Sequence, residues 1–252
     1  MTNERAKRFE GEVRHRYQLA AKGVVNKRVL DIGCGLGWGA EYLAKKKAKQ
    51  VLGIDRSGAA INYARQKYSC PNLVFKTLEA QKIRRLTGSF DMVVAFELIE
   101  HLPKIAVKQW ITDIKKILKP GGRVMISTPN KLATRFKNPY HVQEFTAKEL
   151  KQLFSRKFTE LKLRGIKKPD KELFQQSSVI SWLGQFRIVQ ELLPLIPAKL
   201  RQSAPAVKAS AYIITDKQIS RCPSLLLSAR KSPILTKDSP LLRIKGEISD
   251  NR

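Results

Sequence analysis

Val29-Leu-Asp31-Ile-Gly33-Cys34-Gly35-Leu-Gly37-Trp38-Gly39 is the stretch on which the fold turns. A short apolar run, Arg28–Ile32, carries an acid near its end and breaks into glycines at alternate positions. Gly33, Gly35 and Gly37 let the backbone turn tightly and let a ligand approach it closely. A strand that feeds a glycine-rich loop and then a helix is the entrance of a nucleotide-binding α/β unit. The dinucleotide pattern GxGxxG does not fit, because Trp38 stands where its third glycine would be.

An acid just ahead of the glycines suits a ligand with a positive centre. An acid at the end of the second strand suits a ribose diol, since a carboxylate accepts two hydroxyl donors. Asp55, 24 positions after Asp31, ends the run Gln50–Ile54. The combination points to S-adenosyl-L-methionine, a nucleoside with a sulfonium and an amino-acid tail and no pyrophosphate.

Outward from the loop, strands and helices alternate. Trp38–Lys47 reads as a helix, and Ser57 caps another that runs through Tyr68. Leu73–Phe75, Phe90–Phe96 and Arg123–Ser127 read as further strands. Between the last two, Ile105–Leu118 reads as a helix stopped by Pro120, Gly121 and Gly122. Thr146 with Glu149 forms a capping-box pattern at the start of a helix to Phe154, and Phe158–Leu163 alternates like a sixth strand. Ser224–Ala229 supplies a late strand, and residues 5–22 a basic helix with Phe9, Val13, Tyr17 and Leu19 on its apolar side. Apolar strands alternating with helices predict a parallel sheet covered on both faces. The expected class is α/β: doubly wound, mostly parallel, seven-stranded, with a helical insertion before the last strand.

The chain resembles the class I S-adenosylmethionine-dependent methyltransferases, of the ubiquinone-pathway type. The resemblance runs through Arg16-Tyr17, VLDIGCGLGWG, VLGID, NLVFKTLEA, SFDMVVAFELIEHL, LKPGGRVMISTPN and NPYHVQEFT, roughly residues 15–165. It implies that Asp31 and the loop Gly33, Cys34, Gly35 and Gly37 hold the methionine end. It implies that Asp55 binds the ribose, with Arg56 beside the adenine. Glu79-Ala80 stands where the family usually has Asp-Ala, so Glu79 is expected at the adenine amine. Phe96 is expected on the cofactor floor. Tyr17 is expected either over the methionine end or as a core aromatic.

The chemistry is expected beyond the carboxyl ends of the strands. Glu97, Glu100 and His101 follow the fourth strand at i, i+3, i+4, so on a helical turn they share one face. His141 lies in the loop after the fifth strand. Two carboxylates and two imidazoles can hold Mg²⁺, Mn²⁺ or Zn²⁺. ExxEH with a later His also resembles the metal sites of enzymes that methylate small-RNA ribose or catechol-like quinone precursors. The alternative is metal-free, with His101 or His141 as the base.

The 252 residues carry 49 Lys+Arg against 21 Asp+Glu, a net charge of +28. The excess is spread along the chain: 29 basic against 13 acidic residues in 1–150, and 20 against 8 in 151–252. Such a field attracts nucleic acid or anionic membrane, or reflects only a basic bias of the source. The cysteines, Cys34, Cys70 and Cys222, are scattered and predict a reducing compartment. The start of the chain lacks an apolar export core, and Glu4, Glu10 and Glu12 argue against a transit peptide. The expected location is cytoplasmic or peripheral to a membrane.

The expected division is an N-terminal helical segment (1–26), a cofactor-binding core (27–166), a helical lid (167–220), a last core strand (221–231) and a flexible tail (232–252). The apolar segment 177–193 is expected to line an acceptor pocket, or to dock on an anionic membrane with Lys199 and Arg201. The leading expectation is O-methylation of a small-molecule or lipid- or glycan-linked acceptor. The alternatives are an RNA ribose 2′-O-methyltransferase and a non-catalytic cofactor-binding scaffold. The oligomeric state is left open.

Overall fold

Parallel strands need crossovers, and this chain supplies them as helices. The computed structural model describes residues 13–87, 89–133, 138–167 and 213–233. Strand β1 (Arg28–Ile32) passes through α2 (Trp38–Lys45) to β2 (Gln50–Asp55), then through α3 (Gly58–Lys67) to β3 (Leu73–Thr77). From β4 (Phe90–Phe96) the chain crosses through α4 (Lys104–Ile117) to β5 (Leu118–Pro129). Helix α5 (Ala147–Ser155) leads to β6 (Thr159–Lys167), and β7 (Ile213–Thr215) and β8 (Ser224–Arg230) complete the sheet. A first helix, α1, covers residues 13–21.

The strand order is β3-β2-β1-β4-β5-β8-β6-β7. The pairs among β1 to β5 are parallel, while β8, β6 and β7 join antiparallel. The sheet therefore has eight strands, not seven. The additional one is β7, three residues long, which pairs with Gly165–Lys167 at the end of β6. It lies inside the segment 167–220 expected to be a helical lid, so the sheet reaches into that insertion. Residues 168–212, with the apolar run 177–193, and the tail from 234 lie outside the described residues.

Burial follows from sequence pattern. β4 reads FDMVVAF and is almost wholly buried, as a central parallel strand must be. On α4, Val107, Trp110, Ile111, Ile114 and Ile117 repeat at helical spacing and bury against one face of the sheet. The other face packs Tyr17 and Ala20 of α1 with Leu43, Ile61 and Phe75. The Ser57 and Thr146 caps form as expected, the latter with the reciprocal Glu149 bond. β5 is longer than expected: Pro120-Gly121-Gly122 ends α4 but lies within the strand, and Leu118 pairs with Phe90.

The connection reverses between β1 and β4, so the crevice opens at their carboxyl ends. The glycine loop closes one side of it. Gly37 caps α2 at φ 85°, and a Cβ there would stand 2.7 Å from Ala64 Cβ and from the Phe75 ring. Gly37→Ala is expected to cost about 2–4 kcal/mol from left-handed strain and overpacking. A thermal melt checks it, and an unchanged midpoint would mean that the loop relaxes freely.

Candidate active site

Three strand ends place the residues expected to hold the cofactor. Asp31 lies in β1 and is fully buried. The Tyr17 hydroxyl, from α1, donates to both of its carboxylate oxygens, at 3.0 and 2.9 Å. The Tyr17 ring stands edge-on to Phe96 (5.0 Å between centroids) and to Trp38 (5.8 Å). It rests on Gly39, where no Cβ would fit. Tyr17 is thus both a core aromatic and the polar cover of Asp31. Burial pushes the Asp31 carboxyl up to about 7; the Tyr17 hydrogen bond opposes that shift and the nearby Asp55 charge adds to it.

At the end of β2, one Asp55 oxygen accepts the Gly35 amide (3.0 Å) and the other the Ser57 amide (2.9 Å). Asp55 therefore fixes the glycine loop while keeping lone pairs for a ligand diol. Leu78 N–H donates to the Asp55 carbonyl at 2.9 Å, which sets the start of the Glu79-Ala80 turn beside it. Glu79 is exposed and paired with Lys82, and Arg56 is exposed. Cys34 is buried, and burial pushes its thiol up, so it is a packing residue and not a nucleophile.

The segment after β4 corrects one expectation. Glu97, Glu100 and His101 do not share a helical face, because Ile99–His101 is a 3-10 turn and Glu97 precedes it at φ 52°. Glu97 turns toward α1: its Oε1 accepts the Ser127 hydroxyl at 2.8 Å and pairs with the buried Arg16 at 3.1 Å. Glu100 turns inward and is fully buried, with Oε2 accepting the Thr128 hydroxyl at 2.9 Å. Burial, then the Glu97 charge, holds the Glu100 carboxyl well above its ordinary range.

The donors that do converge are Glu100, His101 and His141, whose ligand atoms lie within 4.8 Å of one another. The two imidazoles stand edge-on, 5.2 Å apart. His101 Nε2 is 4.0 Å from Glu100 Oε1, a buried oxygen with no hydrogen-bond partner among the described residues. Burial keeps His101 below its usual value, hence neutral at pH 7.

Three residues absent from the expected set fix His141. Asn138 Oδ1 accepts the Tyr140 amide (3.0 Å), which turns its NH₂ toward His141 Nε2 at 2.9 Å. Nε2 must then carry a lone pair, and Nδ1–H donates to Glu144 at 3.2 Å. The spacing Asn138-x-x-His141-x-x-Glu144 was the available signal, since a loop turn brings i and i+3 together.

A seven-to-eight-stranded doubly wound sheet of this order, with a glycine loop after β1 and an acid ending β2, is the fold of the S-adenosylmethionine-dependent methyltransferases. The structure of the N-methyltransferase NodS from Bradyrhizobium japonicum in complex with S-adenosyl-L-homocysteine shares that fold. It matches at a TM-score of 0.56 and 18% identity over 87% of this chain and 85% of that one. Magnesium protoporphyrin IX methyltransferase from Synechocystis, with S-adenosyl-L-homocysteine bound, matches at 0.55 and 16%, over 90% and 84%. The chain belongs to the methyltransferase-domain family, whose model matches residues 4–157. A probable S-adenosylmethionine-dependent methyltransferase of Mycolicibacterium smegmatis is 33% identical over 142 residues, 54% of this chain and 53% of that one. A ubiquinone biosynthesis O-methyltransferase of Acinetobacter baylyi is 36% identical over 115 residues, 44% and 47% of the two chains. The chain thus spans about half the length of the curated relatives it matches. Among the described residues, no helix is long and apolar enough to cross a membrane.

Proposed function

We propose that the protein transfers the methyl group of S-adenosyl-L-methionine to an acceptor hydroxyl. The cofactor half rests on family membership and on the Asp31–Tyr17 pair beside the glycine loop. The hydroxyl half rests on one observation: His141 is held by Asn138 and Glu144 beside His101, in the tautomer with its lone pair on Nε2. Similarity to a ubiquinone biosynthesis O-methyltransferase supports oxygen as the attacking atom and a small or lipid-linked acceptor.

When bound, S-adenosyl-L-methionine would supply a sulfonium-activated methyl group, which the acceptor oxygen would take as the C–S electron pair returns to sulfur. The incoming hydroxyl displaces the Asn138 amide from His141 Nε2 and passes its proton there, and Glu144 steadies the imidazolium through Nδ1–H. Asp31 would hold the cofactor's ammonium and Asp55 its ribose hydroxyls. The same cluster also fits a divalent ion, because Glu100 Oε1 is buried without a hydrogen-bond partner among the described residues and two imidazoles stand beside it. Glu100, His101 and His141 would hold such an ion, and its chemistry there would be to lower the pKa of the acceptor hydroxyl.

The test is transfer of a labelled methyl group into RNA, protein, lipid and small-molecule fractions of a cell extract, with and without chelator. Label in the lipid or small-molecule fraction is expected. Label confined to protein, or none, would remove the hydroxyl reading. His141→Gln is expected to lower kcat by roughly 10²–10⁴-fold with cofactor affinity unchanged. Chelator loss restored by Mg²⁺, Mn²⁺ or Zn²⁺ would assign His141 to the ion, and chelator indifference would leave it the base.

A further inference from the structure

Among the described residues, the α1 side of the sheet is only partly covered over Ser228–Arg230 of β8 and over β6, and cations line the gap. Met125 and Leu226 belong to the packed layer that includes Tyr17, which identifies that face. Arg123 of β5 pairs in register with Arg230 of β8. Two residues up β8, Ser228 faces Met125 on one side and Lys162 on the other. Two further up, Leu226 faces Ser127 and Arg164. Cross-strand partners share a face, so Arg123 with Arg230, then Lys162, then Arg164 form three rungs.

Each step of two residues is about 6.6 Å, so the rungs span roughly 13 Å. They run from Arg123, midway along β5, to the level of Ser127, the residue that holds Glu97 at the active-site rim. These residues and Lys22, just after α1, line one depression of about 250 Å³. The one carboxylate in its lining, Glu160, is paired with Arg230 at 3.1 Å. Lys162 and Arg164 also line a second depression of about 690 Å³ at the outer edge of β6, where Lys148 and Lys151 add further positive charge and Asp216 one carboxylate. A doubly wound sheet ordinarily buries both faces under helices. Here a strip of one face carries four basic side chains on three rungs, with Lys162 and Arg164 exposed.

We infer that this strip binds the phosphodiester backbone of a single-stranded nucleic acid. Rungs that each carry net positive charge, Arg230 being offset by Glu160 on the first, match a polymer of evenly spaced anions. A membrane surface would favour a flat or convex patch, whereas this one is a trough between α1 and the edge of β6. No aromatic ring lines it, so recognition is of backbone and not of sequence. The inference goes beyond O-methyl transfer and does not require it. The strand is carried toward the rim, whether it bears the acceptor or tethers the enzyme near one.

The experiment is fluorescence anisotropy of a labelled 15-nucleotide uridine oligomer against salt, with the full chain. Lys162→Gln/Arg164→Gln is expected to weaken binding about tenfold or more at low salt. It should also flatten the slope of log K against log salt by about 1.4, two phosphate contacts at about 0.7 each. Lys108→Gln/Lys116→Gln, which removes the same charge from the exposed face of α4, is expected to change neither. Equal losses in the two double variants would overturn the inference in favour of diffuse charge. So would absent oligomer binding, including the case where phosphatidylglycerol vesicles bind instead. Calorimetric affinity for S-adenosyl-L-homocysteine is read on each variant. Its loss in the wild type would count against the methyltransferase reading alone.

Discussion

Asp31→Asn is expected to raise the dissociation constant for S-adenosyl-L-methionine at least 100-fold and, at pH 8, to make the ligand-free protein more stable. Both effects have one cause. The carboxyl is fully buried with a tyrosine hydroxyl as its partner, and burial lifts it from 3.8 to about 7. Between those values the folded protein binds the proton and the unfolded chain does not. Stability therefore falls as pH rises through that window and levels off above 7. The accumulated cost is up to about 4 kcal/mol, at 1.36 kcal/mol per unit. Asparagine keeps the acceptor for Tyr17 and removes the titration, so the variant loses the slope.

The cofactor's positive charge uses what the fold does not need. An ammonium placed beside an anion in a dry site is a charge-assisted contact of roughly 1.5–3 kcal/mol. Wild-type affinity is accordingly expected to rise as pH approaches 7 from below, and affinity of the Asn variant to stay flat. Melts at pH 5 and pH 8 together with calorimetry read both quantities. An Asn variant less stable than wild type at pH 8 would show that the carboxylate is held for Tyr17 and not for a ligand.

What the sequence made legible was what local pattern controls. The glycine loop, the apolar run of β4, the caps at Ser57 and Thr146 and the acid ending β2 each depend on neighbours within a few positions. β7 escaped because three residues make no period, and its pairing with β6 is set by chain entering from far along the sequence. The divergence of Glu97 from Glu100 escaped because spacing i, i+3 assumes an α-turn. A left-handed Glu97 followed by a 3-10 turn sends the two carboxylates to opposite sides of the strand end. Such a residue conformation costs of order 1–3 kcal/mol and persists only where surrounding contacts over-determine it. At Glu97 those contacts are Ser127, 30 positions on, and Arg16, on a helix 81 positions earlier in the chain. No window of sequence holds all three.

Arg16 itself is the largest such omission, and its removal carries the second large effect. The side chain is fully buried, and its Nη2 reaches Glu97 Oε1 at 3.1 Å and the Ser224 hydroxyl at 3.2 Å. It thereby ties α1 to the ends of β4 and β8. Arg16→Met keeps volume and removes charge, leaving the Glu97 carboxylate without its counter-charge. Breaking a buried pair from one side costs about 3–5 kcal/mol, because the remaining charge is uncompensated. Glu97 is one-fifth exposed, so the lower end, about 3 kcal/mol, is expected, seen as a fall of roughly 6–12 °C in the melting midpoint. Adding Glu97→Gln to Arg16→Met is expected to recover most of it, since the amide still accepts from Ser127 and needs no counter-charge. The functional consequence separates packing from positioning. Tyr17 follows Arg16 on the same helix, so a loosened α1 lifts the hydroxyl from Asp31 and raises the cofactor KM, and the double variant restores it. Recovery of the melting midpoint without recovery of KM would mean that Arg16 stabilises the fold but does not set the cover over the cofactor.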